Sequence, residues 1–348
     1  MSAIGFKGDG ADEGAAEAGP GRAADRAPLI AADVGGTHAR VALVEPVAVP
    51  ATVRLTEFRR YDCAGFDDLA SILRRFIDEV GIAPRADAAV AIAGLLVGDT
   101  LVHANLPWSV SVSGTIAAAG LNNLRLINDF EAMAWAVPSI DLARARRVSG
   151  PDRTTEPGPA LVIGPGTGFG AAVRVPGRPP LVVPTEAGHA ALSVRSAREL
   201  EVLAVFMRRW SHVGIERLLS GPGLLNTYQA LCGIDGVAAR HDAPAAIALA
   251  AQRGDDPQAV EALSMFCDVL GSVAGDLALT FGAKAVYLAG GIPAQIADFL
   301  LASDFAARFV DKGVMGEVLQ RVPVHLVEHG QLGLQGAASW YMEHNPAG

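Results

Sequence analysis

The stretch LIAADVGGTHARVALVE, Leu29 to Glu45, runs apolar, meets Asp33-Val34-Gly35-Gly36-Thr37, and turns straight back into an alternating apolar run. Two β-compatible segments joined by Gly-Gly-Thr read as a hairpin whose turn draws on glycine's conformational freedom, positive φ included. A bare chain reversal needs no acid at its entrance. Asp33 ends the first strand beside the backbone N–H groups of Gly35, Gly36 and Thr37. Such a nest of amides attracts phosphate, and a carboxylate next to it suits a hard Mg2+ ion. The hairpin alone leaves both readings open, so a second site has to decide.

That second site is PALVIGPGTGFGAAVRV, Pro159 to Val175, where an apolar strand again enters a Gly/Thr turn and leaves through another strand. The two turns lie about 130 residues apart, and Gly166, Thr167 and Gly168 repeat the supply of amides and a threonine hydroxyl. Two halves with one motif imply an internally duplicated fold closing on one ligand. Neither turn carries the Lys of a G-x-x-x-x-G-K-[ST] loop. A dinucleotide fingerprint started at Gly164 places Phe169 where its third glycine belongs, and a strand rather than a helix follows.

Composition limits the partners. A chain of 348 residues, 51% of them hydrophobic, can bury one or two sizeable cores. Its net charge of −9 opposes general binding to nucleic acid or to a membrane surface, so phosphate handling has to be local. Cys63, Cys232 and Cys267 are odd in number, far apart and without a C-x-x-C pair, which suggests neither a disulfide framework nor a zinc cluster and fits a reducing cytosol. Residues 1–28 lack an apolar core segment and helical periodicity and read as a disordered leader. The longest apolar run, AAVAIAGLLVG, is too short to span a bilayer, so a cytoplasmic location is expected. Strand and helix patterns alternate from Val53 onward, with FDDLASILRRFIDEVGI placing Phe66, Leu69, Leu73, Phe76, Ile77 and Val80 at helical spacing, which indicates an α/β fold.

LRLINDFEAMAWAVP ends a strand at Ile127 and sets Asn128-Asp129 at its carboxyl end, ahead of an apolar helix. Ligands of α/β proteins bind at such junctions. Asp129 there is a helix cap or the acceptor for a hydroxyl proton in phosphoryl transfer to an alcohol. Asn128 can hold a neighbouring hydroxyl. Glu186 and His189 in VVPTEAGHAAL and Glu216 in GIERLLSGPGLLNTY are the residue types that bind adjacent hydroxyls of a polyol. Gly290-Gly291, at the end of the β-run AKAVYLAGG, would let a base or ribose approach the backbone.

The order DVGGTHAR, INDFEAMAWA, GPGTGFGAA, TEAGHAAL, ERLLSGPGLLNTY, YLAGGI resembles the bacterial glucokinase family over nearly the whole chain from Leu29. The resemblance implies a two-domain actin-like, ribonuclease-H-like α/β fold with a central cleft and mixed sheets flanked by helices. It implies a leader over 1–28, a small domain over 29–139 completed by a C-terminal helix over 332–348, and a large domain over 140–331. The implied reaction converts ATP and D-glucose to ADP and glucose 6-phosphate at the entry to glycolysis, with Mg2+ as cofactor, in a homodimer. Asp129 becomes the base, and Asn128, Asp129, Glu186, His189 and Glu216 hold the sugar, across the cleft from the first turn. Asp33, Val34, Gly35, Gly36, Thr37, Gly166, Thr167 and Gly168 serve the nucleotide, Asp33 reaches the metal through water, and Gly290 and Gly291 lie near the adenosine. His38 stands where the family usually has Asn, Ala187 where it often has Gly, and the leader is atypical. A ROK-type sugar kinase would carry a His/Cys zinc cluster, which this chain lacks. A non-catalytic sugar sensor or filament protein of the same fold is the remaining alternative.

Overall fold

The computed structural model describes residues 27–45, 53–82, 85–102, 106, 108–328 and 330–345. Apart from Ala27 and Pro28, the expected leader lies outside the described residues. The first sheet opens with an antiparallel meander, β1 (Leu29–Val34), β2 (His38–Glu45) and β3 (Arg54–Asp62), followed by helix α1 (Leu69–Val80). Asp68 caps α1 through the Ser71 amide and Gly81 ends it in a left-handed turn, so Phe66 precedes the helix instead of opening it. Strand β4 (Asp87–Ile92) returns parallel to β1. A three-stranded flap of β5 (Leu95–Val97), β6 (Thr100–Val102) and β7 (Val110–Ser111) comes next, then α2 (Val112–Ala119) and β8 (Asn123–Ile127), parallel to β4. The order is β3-β2-β1-β4-β8. Central β1 and β4 are apolar almost throughout because both their faces are covered, whereas edge strand β3 is studded with charge.

Helix α3 (Asp129–Trp135) leads into the second sheet, made of β9 (Arg146–Ser149), β10 (Ala160–Pro165), β11 (Phe169–Val175), β12 (Leu181–Thr185), β13 (Ala285–Leu288) and β14 (Val324–Leu326). Its order, β12-β11-β10-β13-β14-β9, repeats the first sheet strand for strand and adds antiparallel β9 at the edge. The repeat reaches single residues. Strand β4 is followed by Ala93-Gly94 and β13 by Ala289-Gly290, and both glycines hold a positive φ, 138° and 101°, that strongly favours glycine. Helices α4 (Ala197–Arg209), α5 (Gly221–Asp235), α6 (Pro244–Arg253) and α7 (Pro257–Thr280) lie between β12 and β13. Short α8 (Gly291–Gln295), α9 (Ala297–Ala302), α10 (Phe305–Val310) and α11 (Gly316–Leu319) lead to β14, and α12 (Leu332–His344) closes the fold. Helix α7 is long and apolar enough to cross a membrane, but 72% of its most apolar stretch is buried inside the protein, so that length is used by the core.

Three apolar cores follow. One lies under α1 and α2, with Ile30, Leu73, Phe76 and Val90. A second lies under α5, α6 and α7, with Ile163, Tyr228, Phe266 and Leu270. The third joins the sheets: Ala31, Ala89 and Ala91 of the first and Val162, Ala172 and Ala289 of the second enclose α3 and α12. Small residues let this middle layer close up. Phe130 of α3 lies flat over Gly170 and near Gly164, and Gly336 of α12 touches the Ala132 carbonyl so closely that an added Cβ would collide with it. Gly336→Ala should therefore destabilise the protein by about 1–3 kcal/mol, the usual range for overpacking, and lower Tm. Thermal denaturation with an unchanged midpoint would show that α12 and α3 can part without loss.

Candidate functional site

Both glycine turns occupy the same place, between the first and second strands of their sheets. In the first, the Gly35 amide donates to the His38 carbonyl at 3.0 Å, and buried Cys63 braces the turn: its amide donates to the Thr37 carbonyl at 2.9 Å and its thiol to the Gly35 carbonyl at 3.4 Å. In the second, the Gly166 amide donates to the Gly168 carbonyl at 2.7 Å, while the Gly166 carbonyl accepts the Gly221 amide of α5 at 2.8 Å. The glycines are not there for positive φ, as the hairpin reading expected. Among the described residues the positive-φ glycines do not include Gly35, Gly36, Gly166 or Gly168. Room is the distinguishing feature. A Cβ added at Gly166 or Gly291 would meet nothing within 4 Å, and at Gly35 only the His38 carbonyl oxygen at 3.8 Å. The packing glycines Gly164, Gly170 and Gly336 are crowded instead. Thr37 and Thr167 are exposed at the turn tips, and Val34 is buried in β1.

Asp33 is 5% exposed, and its carboxylate pairs with Arg40 at 3.2 Å, its register partner on β2. Gly333 lets the first turn of α12 approach the same carboxyl group. Arg40, Cys63 and Gly333 escaped the sequence reading. Arg40 was findable, since a hairpin closed at Gly-Gly-Thr puts residues 33 and 40 opposite one another.

Asn128 is the cap of α3: its Oδ1 accepts the amides of Phe130 at 3.0 Å and Glu131 at 3.1 Å, leaving the side-chain NH2 for a ligand. Asp129 occupies the first helical position, and its Oδ1 accepts the Phe130 amide at 2.9 Å. Burial pushes the Asp129 carboxyl up to about 6, and the charges of Asp33 and Glu186 push the same way. Asp129 thus stands in the field of Asp33, at the carboxyl edge of the same sheet, and the sugar-facing set does not all lie across the cleft from the first turn. Asn128 and Glu186 line one cavity of about 280 Å³, together with Thr185, Glu131 and the aliphatic side chains of Ile92, Leu95, Leu96, Leu101 and Leu126. The short 3-10 turn Ala187–His189 sets out His189, whose Nδ1 is 3.7 Å from Glu216 Oε1. Glu216 also abuts the second glycine turn, its Oε2 lying 2.9 Å from where a Cβ on Gly168 would sit. Gly290 packs against the Pro165 carbonyl, and Ile292 and Pro244 flank Gly221, so Gly166, Gly221, Gly290 and Gly291 form one backbone-lined corner.

Two glycine turns, a carboxyl group raised to about 6 and a cavity with Asn128, Glu131, Thr185 and Glu186 in its wall suit phosphoryl transfer to a polyol. A family profile described as Glucokinase matches residues 30–344. A glucokinase-like protein of Xylella fastidiosa (strain 9a5c) is 44% identical over 329 residues, covering 93% of this chain and 97% of its own length. A glucokinase of Nitrobacter hamburgensis is 38% identical over 315 residues, 89% of this chain and 96% of its own. The crystal structure of a glucokinase from an Antarctic psychrotroph superposes with a TM-score of 0.79 at 34% identity, covering 92% of this chain and all of that one. By that match over nearly its whole length, and with its duplicated sheets, the chain belongs to the glucokinase family, the ATP-dependent hexose kinases of the actin-like fold.

Proposed function

We propose that the family's reaction, transfer of the γ-phosphate of ATP to the 6-hydroxyl of D-glucose, runs here with Asp129 as general base. The carrying observation is the Asp129 carboxyl itself, raised to about 6 by burial and by Asp33 and Glu186, and next in the chain to Asn128, which lines the cavity with Glu186. A base with that affinity is ionised at pH 7 yet keeps useful proton affinity. Asp129 accepts the hydroxyl proton as that oxygen bonds to phosphorus. The Asn128 amide and the carboxylates of Glu186 and Glu216 hold neighbouring hydroxyls, and Glu216 orients His189 through their 3.7 Å contact. Amides of Gly36, Thr37, Thr167 and Gly168 meet phosphate oxygens, those of Gly35 and Gly166 close the turns by bonding the His38 and Gly168 carbonyls, and Gly290 and Gly291 make room for the adenosine.

A lone buried carboxylate already tied to Arg40 fits an ion that keeps most of its waters, so Asp33 would hold Mg2+ through water. No group of three or more His, Cys, Asp or Glu placed to hold a metal occurs among the described residues, and an ion shared with phosphates needs none. When bound, Mg2+ neutralises phosphate charge. The same proposal divides the chain into domains at 29–139 with 332–348 and at 140–331, supported by α12 lying against β1, β4 and α3. Closing of the two would exclude water from the cavity. A cytoplasmic homodimer completes it, with the free buried cysteines supporting a reducing compartment. Light scattering should give the mass of two chains.

A coupled assay of ADP release should show turnover with glucose and only a trace without it; equal release in both would remove the sugar from the reaction. Asp129→Asn should lower kcat by about two to four powers of ten with little change in glucose affinity. The wild-type rate should fall below pH about 6 as Asp129 takes up its proton. The folded protein holds that proton to higher pH than the unfolded chain, so stability declines as pH rises from 3.8 towards about 6. Asp129→Asn should consequently be more stable than wild type at pH 8, by on the order of 2 kcal/mol, and no more stable at pH 4. A variant that is both slow and less stable at pH 8 would assign Asp129 a structural role. Gly166→Val should leave Tm near the wild-type value, because its side chain enters open space, and weaken ATP binding about tenfold or more. Calorimetric titration finding unchanged ATP affinity would make that turn a plain hairpin.

A further inference from the structure

Helix α3 brings a fourth polar side chain to the cavity. Glu131 lines it beside Asn128, Thr185 and Glu186. Its backbone is fixed by the residue that caps the helix, since Asn128 Oδ1 accepts the Glu131 amide at 3.1 Å. The well-buried acids elsewhere have partners within the protein. Asp33 has Arg40 at 3.2 Å, Glu199 has Arg308 at 2.6 Å, and Asp256 has the Tyr228 hydroxyl at 2.8 Å. The Glu131 carboxylate makes neither a hydrogen bond nor an ion pair among the described residues. Burial pushes its affinity for a proton up, and only His344 opposes that shift. The rest of the wall is aliphatic, and among the described residues no Lys or Arg lines the cavity.

A half-buried carboxylate without a protein partner calls for a donor from the ligand. A sugar hydroxyl supplies one. An ammonium group supplies a charge-assisted bond and offsets the negative charge that Glu131 and Glu186 together bring to the cavity. We propose that Glu131 contacts the sugar and sets specificity, extending the substrates of this site to hexoses that carry a protonated amine, such as 2-amino-2-deoxy-D-glucose. The proposal rests on the sugar-kinase reading of the cavity.

The test compares wild type, Glu131→Gln and Glu131→Asp at pH 7 with D-glucose and with 2-amino-2-deoxy-D-glucose, reading ADP release for kcat and KM and calorimetry for binding. Wild type should phosphorylate both sugars. Glu131→Gln keeps the shape and loses the charge; it should raise KM and Kd for the amino sugar about tenfold, the usual size of a charge-assisted contact, and those for glucose less than about threefold, with kcat little changed. Glu131→Asp, which withdraws the charge by one methylene, should fall between them, and it decides by the same ratio should Glu131→Gln fail to fold. An amino-sugar to glucose ratio that is the same in wild type and variant overturns the proposal. So does a wild type that turns over glucose but does not bind the amino sugar. A wild type inactive on glucose would instead sink the sugar-kinase reading, and this proposal with it.

Discussion

The seating of Phe130 on Gly170 and Gly164 is the contact on which the rest of the molecule depends. Helix α3 grows out of the first sheet, yet its first aromatic side chain is embedded in the second, and α12 closes over its other side at Gly336. The groups that cap and open α3 are Asn128 and Asp129. Packing between the sheets therefore sets the position of a carboxyl group whose proposed task tolerates little displacement, since an error of about 1 Å in such a group can cost a hundredfold in rate. Glycine at 164, 170 and 336 is a packing requirement first and a chemical one only through α3.

Electrostatics in the cleft runs against stability. Asp33 is steadied by Arg40, but Asp129 has only backbone amides to offset its burial and the like charges of Asp33 and Glu186. Elsewhere the fold treats buried acids differently: Glu199 accepts from both Arg308 nitrogens and from the Arg195 and Ser196 amides. The less favoured of the two, Asp129, is the one proposed as the base, and its burial comes at some cost to the folded state.

Much of this was legible in the chain. Apolar runs that stop at Gly/Thr clusters announced β1, β2, β10 and β11, because a strand buried on both faces and a tight reversal each leave a strong local mark. Asn128 and Asp129 were legible for the same reason, as polar residues wedged between an apolar strand and an apolar helix. The flap of β5, β6 and β7 was not, since strands of two or three residues are too short for alternation to register. Glu131 was hidden because it reads as an ordinary acid in a first helical turn, and only the fold shows that the cavity lies in front of it. The positive φ expected in the glycine turns was wrong on a physical point: glycine at 35 and 166 leaves space, and positive φ falls at other glycines, Gly94 and Gly290 among them.

Those two strained glycines follow the same Ala after the same strand of each sheet, and they have parted company in what they face. Gly94 borders the cavity with Asn128 and Glu186, while Gly290 borders the second turn at Pro165. The duplication has thus become a division of labour between twins. One copy has Asn128-Asp129 after β8, and the matching strand of its sibling, β14, is followed by Val327-Glu328 and leads into α12. The two halves are therefore not interchangeable: the strand end of one lines the cavity through Asn128, and the matching strand end of the other runs into the helix that closes the fold.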